Sequence, residues 1–320
     1  MIKYRYDIGA LRAIAVISVV MYHFGITGFS GGYSGVDVFF VISGFLMTKI
    51  IFSGIEKNSF SIISFYLSRA RRIIPALVFV CLSVSFFGWF NLTSIEYKVL
   101  AKHALSSMLF LSNFVYMNES NYFDASSGDK WLLHTWSLSV EWQFYLLYPI
   151  IILSFIRLMG VKKTKASMII IGLLSLTLCL IPFKANAESS FYMLPWRSWE
   201  MLAGGCLAIF TLHVNKLSSR KFLSYLGVFL ILSSVLFIDS SHSWPSVLTL
   251  IPVSGAMLVM VSCYDDTLLF KSRVVQYIAK ISYSIYLWHW PVIVLLKYYG
   301  YFGGITATII SFFMIAILSI

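Results

Sequence analysis

Arg12 and His23 stand in an otherwise apolar stretch, "LRAIAVISVVMYHFGI" (residues 11–26). Eleven residues of α-helix advance about 16 Å and return to within about 20° of the same face, so guanidinium and imidazole share one stripe. An arginine in hydrocarbon costs about 2.5–3.5 kcal/mol on insertion scales, which turns it towards a polar interior and marks a pathway or a site. Imidazole is the usual general base near neutral pH. An interior ion pair with a histidine reaching the membrane surface explains the same spacing, and both readings stand at this stage.

Other ionisable groups fall at similar depths. "HTWSLSVEWQFYLLYP" (134–149) places His134, Ser137, Glu141, Tyr145 and Tyr148 on one helical face. A carboxylate there is either protonated or paired with a cation, and Arg12 and Arg197 are the candidates. "PWRSWEMLAGG" (195–205) sets Arg197 and Glu200 three residues apart, a spacing that braces one residue against the other or against a neighbouring helix, or serves chemistry directly. In "FYLSRARRIIPAL" (65–77), Arg69 and Arg72 share a face and Arg71 points elsewhere. Arginine forks bind phosphates bidentately and a helix N-terminus favours anions, so a phosphate-bearing substrate fits. A flank resting on lipid headgroups fits as well. "GVDVFFVISGFLMTK" (35–49) holds Ser43 and Gly44, a small polar break whose default use is close helix packing and which could also pass a substrate's acyl chain or pantetheine arm. Asp37 reads as a carboxylate near the outer membrane surface. The six histidines show no i, i+3 or i, i+4 pairs and the four cysteines no paired spacing, so the expectation is no metal and no disulfide framework.

The elements that must position these groups follow from composition. With 59% hydrophobic, 17% aromatic and 12% charged residues in 320, the chain lies outside the soluble globular range. Runs of about 20 apolar residues recur from end to end. We expect an all-α polytopic transmembrane helix bundle of ten crossings, near 8–26, 33–52, 73–91, 134–156, 166–182, 193–213, 222–238, 247–262, 281–299 and 304–320. A further run, "VLAKHALSSMLFLSNFVYM" (99–117), reads as re-entrant or interfacial, because a full crossing there would carry the basic loop "RLMGVKKTK" (157–165) outside. On this reading only Lys98, Lys102, Lys130, Lys184 and Lys297 lie outside and Arg12 and Arg197 within the membrane. The other Lys and Arg lie inside, placing the N-terminus in the cytoplasm. The net charge of +11 is thus a topology signal spread over loops, and nucleic acid is not an expected partner.

Several of these pieces together resemble the acyltransferase-3 family, bacterial membrane enzymes that modify cell-surface polysaccharides. The matching elements are Arg12 and His23 with ten residues between, "FFVISG" (39–44), Arg69-x-x-Arg72, "WSLSVEWQFY" (136–145) and "YSIYLWHWPV" (283–292), in that order along nearly the whole chain. The resemblance implies O-acyl transfer, commonly acetyl, from cytosolic acyl-CoA to a hydroxyl of a surface or lipid-linked glycan, such as a lipopolysaccharide O-antigen, at the outer face of the bacterial inner membrane. It implies that Arg69 and Arg72 hold the CoA phosphates, that Arg12 and Ser43 line the donor path, and that His23 is the base at the acceptor. Acyl-CoA is then a substrate, with no permanently bound cofactor, and membrane lipids are the remaining partners. Glu141 is a second catalytic candidate, as orienter of an imidazole or partner of Arg12. Asp37, His134, Arg197 and Glu200 are supporting candidates, and His289 in "LWHWP" reads as packing. The "SYSIYLWHWP" form resembles members with an additional outer hydrolase-like domain, so residues 1–320 read as a membrane acyltransferase domain that is standalone or truncated. A secondary transporter or flippase of a lipid-linked sugar is the competing expectation; it predicts inverted repeats, and none is evident.

Overall fold

The structure, a computed structural model, describes residues 5–119, 127–181, 187–210, 214–239 and 241–320. Lys3, Lys184 and His213 lie outside the described residues. Among those described the chain is all-helical. The α-helices are α1 (Tyr6–His23), α2 (Gly35–Glu56), α3 (Ile62–Asn91), α4 (Ser94–Met108), α5 (Ser112–Asn118), α6 (Thr135–Leu180) and α7 (Ala187–Tyr192). They continue as α8 (Leu194–Ile209), α9 (Leu217–Phe237), α10 (Leu250–Ser262), α11 (Leu268–Lys271), α12 (Arg273–Tyr298) and α13 (Ile305–Leu318). A 3₁₀ turn at Gly32–Ser34 leads into α2.

Among the described residues, α1, α2 with its leading turn, α3, α6 and α9 are long and apolar enough to cross a bilayer, and α10 and α13 are shorter apolar helices. The protein is a multi-pass membrane protein. α6 covers both segments expected at 134–156 and 166–182; Gly160, at φ 79° and ψ 166°, interrupts it between them. The run at 99–117 is divided: α4 starts at a capping box of Thr93 and Glu96 and stops before Phe110, whose φ of 56° ends the helix. At 15 and 7 residues, α4 and α5 each fall short of the ~20 a crossing needs.

Two compact units divide the chain. The first comprises residues 1–60, 149–184 and 195–282. Leu11, Ala15, Val41, Ile42, Ala256 and Val259 lie in one buried apolar cluster of its interior. Here α2 and α8 approach backbone to backbone. A side chain on Gly44 would collide with the Met201 carbonyl, and one on Gly204 with the Val41 carbonyl. Packing therefore explains Gly44.

The second unit comprises residues 61–148, 185–194 and 283–320. In it α3 is clasped from two sides: Tyr66 Oη donates to the Leu146 carbonyl of α6 at 2.7 Å, and Tyr283 Oη of α12 to the Ile73 carbonyl at 2.9 Å. Phe79, Phe86 and Phe90 of α3 are exposed, as a lipid-facing surface requires.

Candidate functional site

In the first unit, α1 carries Arg12 and His23 as the spacing predicts. Arg12 is half-buried and donates from Nη2 to Ser282 Oγ at 2.9 Å. His23 occupies the last turn of α1, also half-buried, its ring 5.1 Å from that of Tyr22. Tyr22 meets Tyr33 at 5.1 Å, and Tyr33 meets Trp244 at 5.0 Å, edge to face in both cases. Three aromatic rings thus run from the imidazole to the loop after α9. That loop holds Asp239, whose carboxylate accepts from the Ser241 backbone N–H at 3.0 Å and from the Ser241 hydroxyl, and lies 3.1 Å from His242 Nδ1. The hydrogen bonds from Ser241, and then His242, hold the Asp239 carboxyl below its ordinary range.

The same unit contains a sealed ionic triad. Arg197 Nη2 donates to Asp37 Oδ1 at 2.5 Å, and Arg197 Nε lies 3.1 Å from Glu200 Oε1. The guanidinium also sits 5.4 Å from the centre of the Phe40 ring. All three charged side chains are almost fully buried. Asp37 is therefore not a membrane-surface carboxylate. Arginine cannot shed its proton, so it needs a buried counter-charge, and Asp37 in the first turn of α2 supplies it. Ser43 is buried one residue before the Gly44 contact.

In the second unit, Arg69 is half-buried while Arg71 and Arg72 are exposed. The Arg69 guanidinium lies within electrostatic reach of Arg72, Tyr145 and Glu141, and its Nη2 donates to Ser68 Oγ at 3.1 Å. α3 begins at Ile62, capped by Ser61. Two helical turns thus separate Arg69 from the free N–H groups of that terminus, and the expected dipole contribution to anion binding does not arise there; the side chains must supply the charge. The Tyr145 hydroxyl donates to the Glu141 carboxylate.

Further along the α6 stripe, His134 and Ser137 meet α12. Ser137 Oγ and Tyr286 Oη are 2.6 Å apart, and Tyr286 Oη lies 3.0 Å from the His134 carbonyl. The His134 and His289 rings are 5.6 Å apart, and both residues are buried. His289 Nδ1 lies 2.6 Å from the Tyr286 carbonyl; a carbonyl only accepts, so Nδ1 carries the proton and Nε2 is the acceptor nitrogen. Trp290 Nε1 donates to the Lys130 carbonyl at 2.8 Å, and Lys130 Nζ to the Glu119 carbonyl at 2.7 Å, which ties down the loop before His134.

His289 packs, as expected, but against His134 and Tyr286, a polar cluster that α12 foreshadows by placing Tyr283, Tyr286 and His289 at intervals of three. The aromatic run Tyr22–Tyr33–Trp244 had no sequence signal beyond the adjacency of Tyr22 to His23, because its rings come from three separate segments. Among the described residues no three His, Cys, Asp or Glu gather as metal ligands.

A family model described as "Acyltransferase domain" matches residues 5–320. The peptidoglycan O-acetyltransferase OatA of Listeria monocytogenes is 33% identical over 92% of this chain and 50% of its own length. The O-acetyltransferase OatA of Staphylococcus aureus is 29% identical over 95% of the chain and 53% of its own length. The putative peptidoglycan O-acetyltransferase YrhL of Bacillus subtilis is 29% identical over 92% and 49%. The chain spans about half the length of these relatives. No solved structure matches it.

Proposed function

The chain belongs to the acyltransferase domain family over residues 5–320, and on that premise we propose that it moves an acetyl group from cytosolic acetyl-CoA to a hydroxyl of a surface glycan. The names of the relatives favour a peptidoglycan acceptor over a lipopolysaccharide. The proposed setting is the bacterial cytoplasmic membrane, crossed ten times with the N-terminus inside.

The observation that carries this reading is the environment of His23. A purely structural histidine in an apolar helix would be sealed in the interior. His23 instead ends α1 half-exposed, on the same helical stripe as Arg12 and beside a row of aromatic rings. In the proposed step an imidazole nitrogen takes the proton of the acceptor O–H as its oxygen attacks the thioester carbonyl carbon. The C–S bond then breaks, and the proton passes from the imidazolium to the leaving thiolate, so one proton moves from oxygen to sulfur overall. Arg69 and Arg72 serve the donor phosphates through bidentate charge-assisted hydrogen bonds. Arg12 and Ser43 line the donor path, and Glu141 orients through its bond with Tyr145. For Asp37, Arg197 and Glu200 the sealed triad supports a bracing role, and for His134 a place in the buried cluster with His289.

Mass spectrometry of surface glycans tests the reaction. Cells carrying His23→Ala should lose O-acetylation while the protein still inserts in the membrane; acetylation at the wild-type rate removes His23 as the base. On purified protein, Arg69→Ala with Arg72→Ala should weaken acetyl-CoA binding about tenfold or more. Unchanged affinity takes both arginines out of the donor site.

A further inference from the structure

The aromatic row beside His23 is held together by backbone contacts. Gly31 and Gly32 let the 3₁₀ turn press against α9 and α1: a side chain on Gly31 would strike the Ser234 carbonyl, and one on Gly32 the Ser18 carbonyl and, at 2.7 Å, Tyr22 Cβ. Gly31 N–H donates to the Val235 carbonyl at 2.9 Å, Ser30 Oγ to the Ile238 carbonyl at 2.9 Å, and Ser34 Oγ meets Ser234 Oγ at 3.1 Å. Tyr33 is thereby set between Tyr22 and Trp244, and its hydroxyl is turned away from them to the Asp239 carbonyl at 3.0 Å. Trp and Tyr that anchor a protein in the headgroup region lie in a belt with their rings towards lipid. These three pack on one another, stay half-buried, end at an imidazole and are edged by an exposed, hydrogen-bonded carboxylate.

From this geometry we infer that Tyr22, Tyr33 and Trp244 form the acceptor platform, an edge-to-face cluster that holds Trp244 for a pyranose ring of the glycan to stack on, with one hydroxyl facing His23 and others reaching the Asp239 edge. The inference rests on the proposed acetyl transfer to a glycan and adds the surface that selects the acceptor. The chemistry matches on both sides of the ring. A pyranose presents a face of C–H groups with partial positive charge, suited to the electron-rich faces of Trp and Tyr. Its equatorial hydroxyls point outward, where a carboxylate and an imidazole can accept them. Stacking fixes the plane of the sugar and leaves the choice of hydroxyl to its position relative to His23, which is how a rigid aromatic wall gives regioselectivity at small entropic cost.

The test uses the purified full chain, acetyl-CoA and a β-1,4-linked N-acetylglucosamine pentamer as acceptor probe. Trp244→Ala should raise KM for the pentamer about tenfold, with kcat within about twofold and KM for acetyl-CoA unchanged; Trp244→Phe should recover most of the loss. An unchanged pentamer KM overturns the platform, as does an equal rise in both KM values, which marks general damage. Calorimetric titration of the pentamer into wild-type and Trp244→Phe protein without acetyl-CoA reads binding alone. Equal affinity of the wild type for the pentamer and for polyethylene glycol of similar mass overturns the platform even where Trp244→Ala does not fold. If the pentamer binds through Trp244 and no acetyl group is transferred, the platform stands and the transferase reading falls.

Discussion

Arg197 of α8 donates to the Asp37 carboxylate of α2 at 2.5 Å, with side-chain exposures of 1% and 0%. The two residues are 160 positions apart in the chain. They lie on the two helices whose backbones touch through Gly44 and Gly204, so a directional bond reinforces a contact that apolar packing leaves free to slide. Removing the cation strands Asp37 and Glu200 together in the interior. Arg197→Met should therefore lower stability by about 3–5 kcal/mol, and Arg197→Lys should not restore it, because an ammonium cannot serve Asp37 and Glu200 with the same planar fork. Thermal melts of the purified variants in detergent check this; a Met variant melting with the wild type would make the triad dispensable for folding.

Acid should loosen the cluster around Glu119, which lies outside the membrane spans. Burial works to raise the Glu119 carboxyl, but hydrogen bonds from Lys102 at 2.5 Å and His103 at 2.7 Å outweigh it and hold the group below its ordinary 4.5. His103 is held below 6.5, by burial first and against the opposing pull of Glu119. Both shifts mean that the unfolded chain binds more protons, so stability rises with pH through both windows. On acidification the first loss begins near 6.5, and the second runs from about 4.5 down through the depressed Glu119 value. Glu119→Gln should flatten the lower step and lower stability near neutral pH, mainly by leaving the buried Lys130 ammonium, 3.7 Å from the carboxylate, without its counter-charge, while the exposed Lys102 contributes little. Melting temperatures taken from pH 7.5 to 3.5 measure it, and identical slopes for the two proteins would show that Glu119 carries no such coupling.

Cys263 reports the orientation of the chain. It is exposed at the end of α10, whereas Cys81 and Cys179 are buried and Cys206 is half-buried. Cys263 lines a pocket with Arg220, Lys221 and Lys271, and on the proposed topology that pocket faces the cytoplasm. A membrane-impermeant maleimide should label inverted vesicles at least tenfold more than intact cells, and Cys263→Ser should remove most of that signal. Equal labelling of intact cells would reverse the topology.

Much of the fold was legible because membrane insertion selects long apolar segments, and their length is a property of the local sequence. The starts of α1, α2 and α8 fall within a few residues of the expected crossings. The start of α3 does not: its apolar run begins near Ile73, yet the helix begins at Ile62, since Ser61 caps it and nothing in "SFYLSRARR" breaks it. Hydropathy marks where a helix enters oil and says little about where it begins in water.

The sequence by itself determined an all-helical membrane protein, the common stripe of Arg12 and His23, the stripe from His134 to Tyr148, and the shared face of Arg197 and Glu200. Each is a spacing within one helix, and helical geometry fixes such relations without reference to anything else. Only the tertiary structure decided that Asp37 holds Arg197, that Arg69 faces Glu141, that His289 lies against His134, and that Tyr33 and Trp244 extend the aromatic row from His23. Those pairs lie on different helices or loops. Which faces meet depends on backbone approach at small residues such as Gly32 and Gly44, a steric condition set jointly by both partners and by neither segment alone.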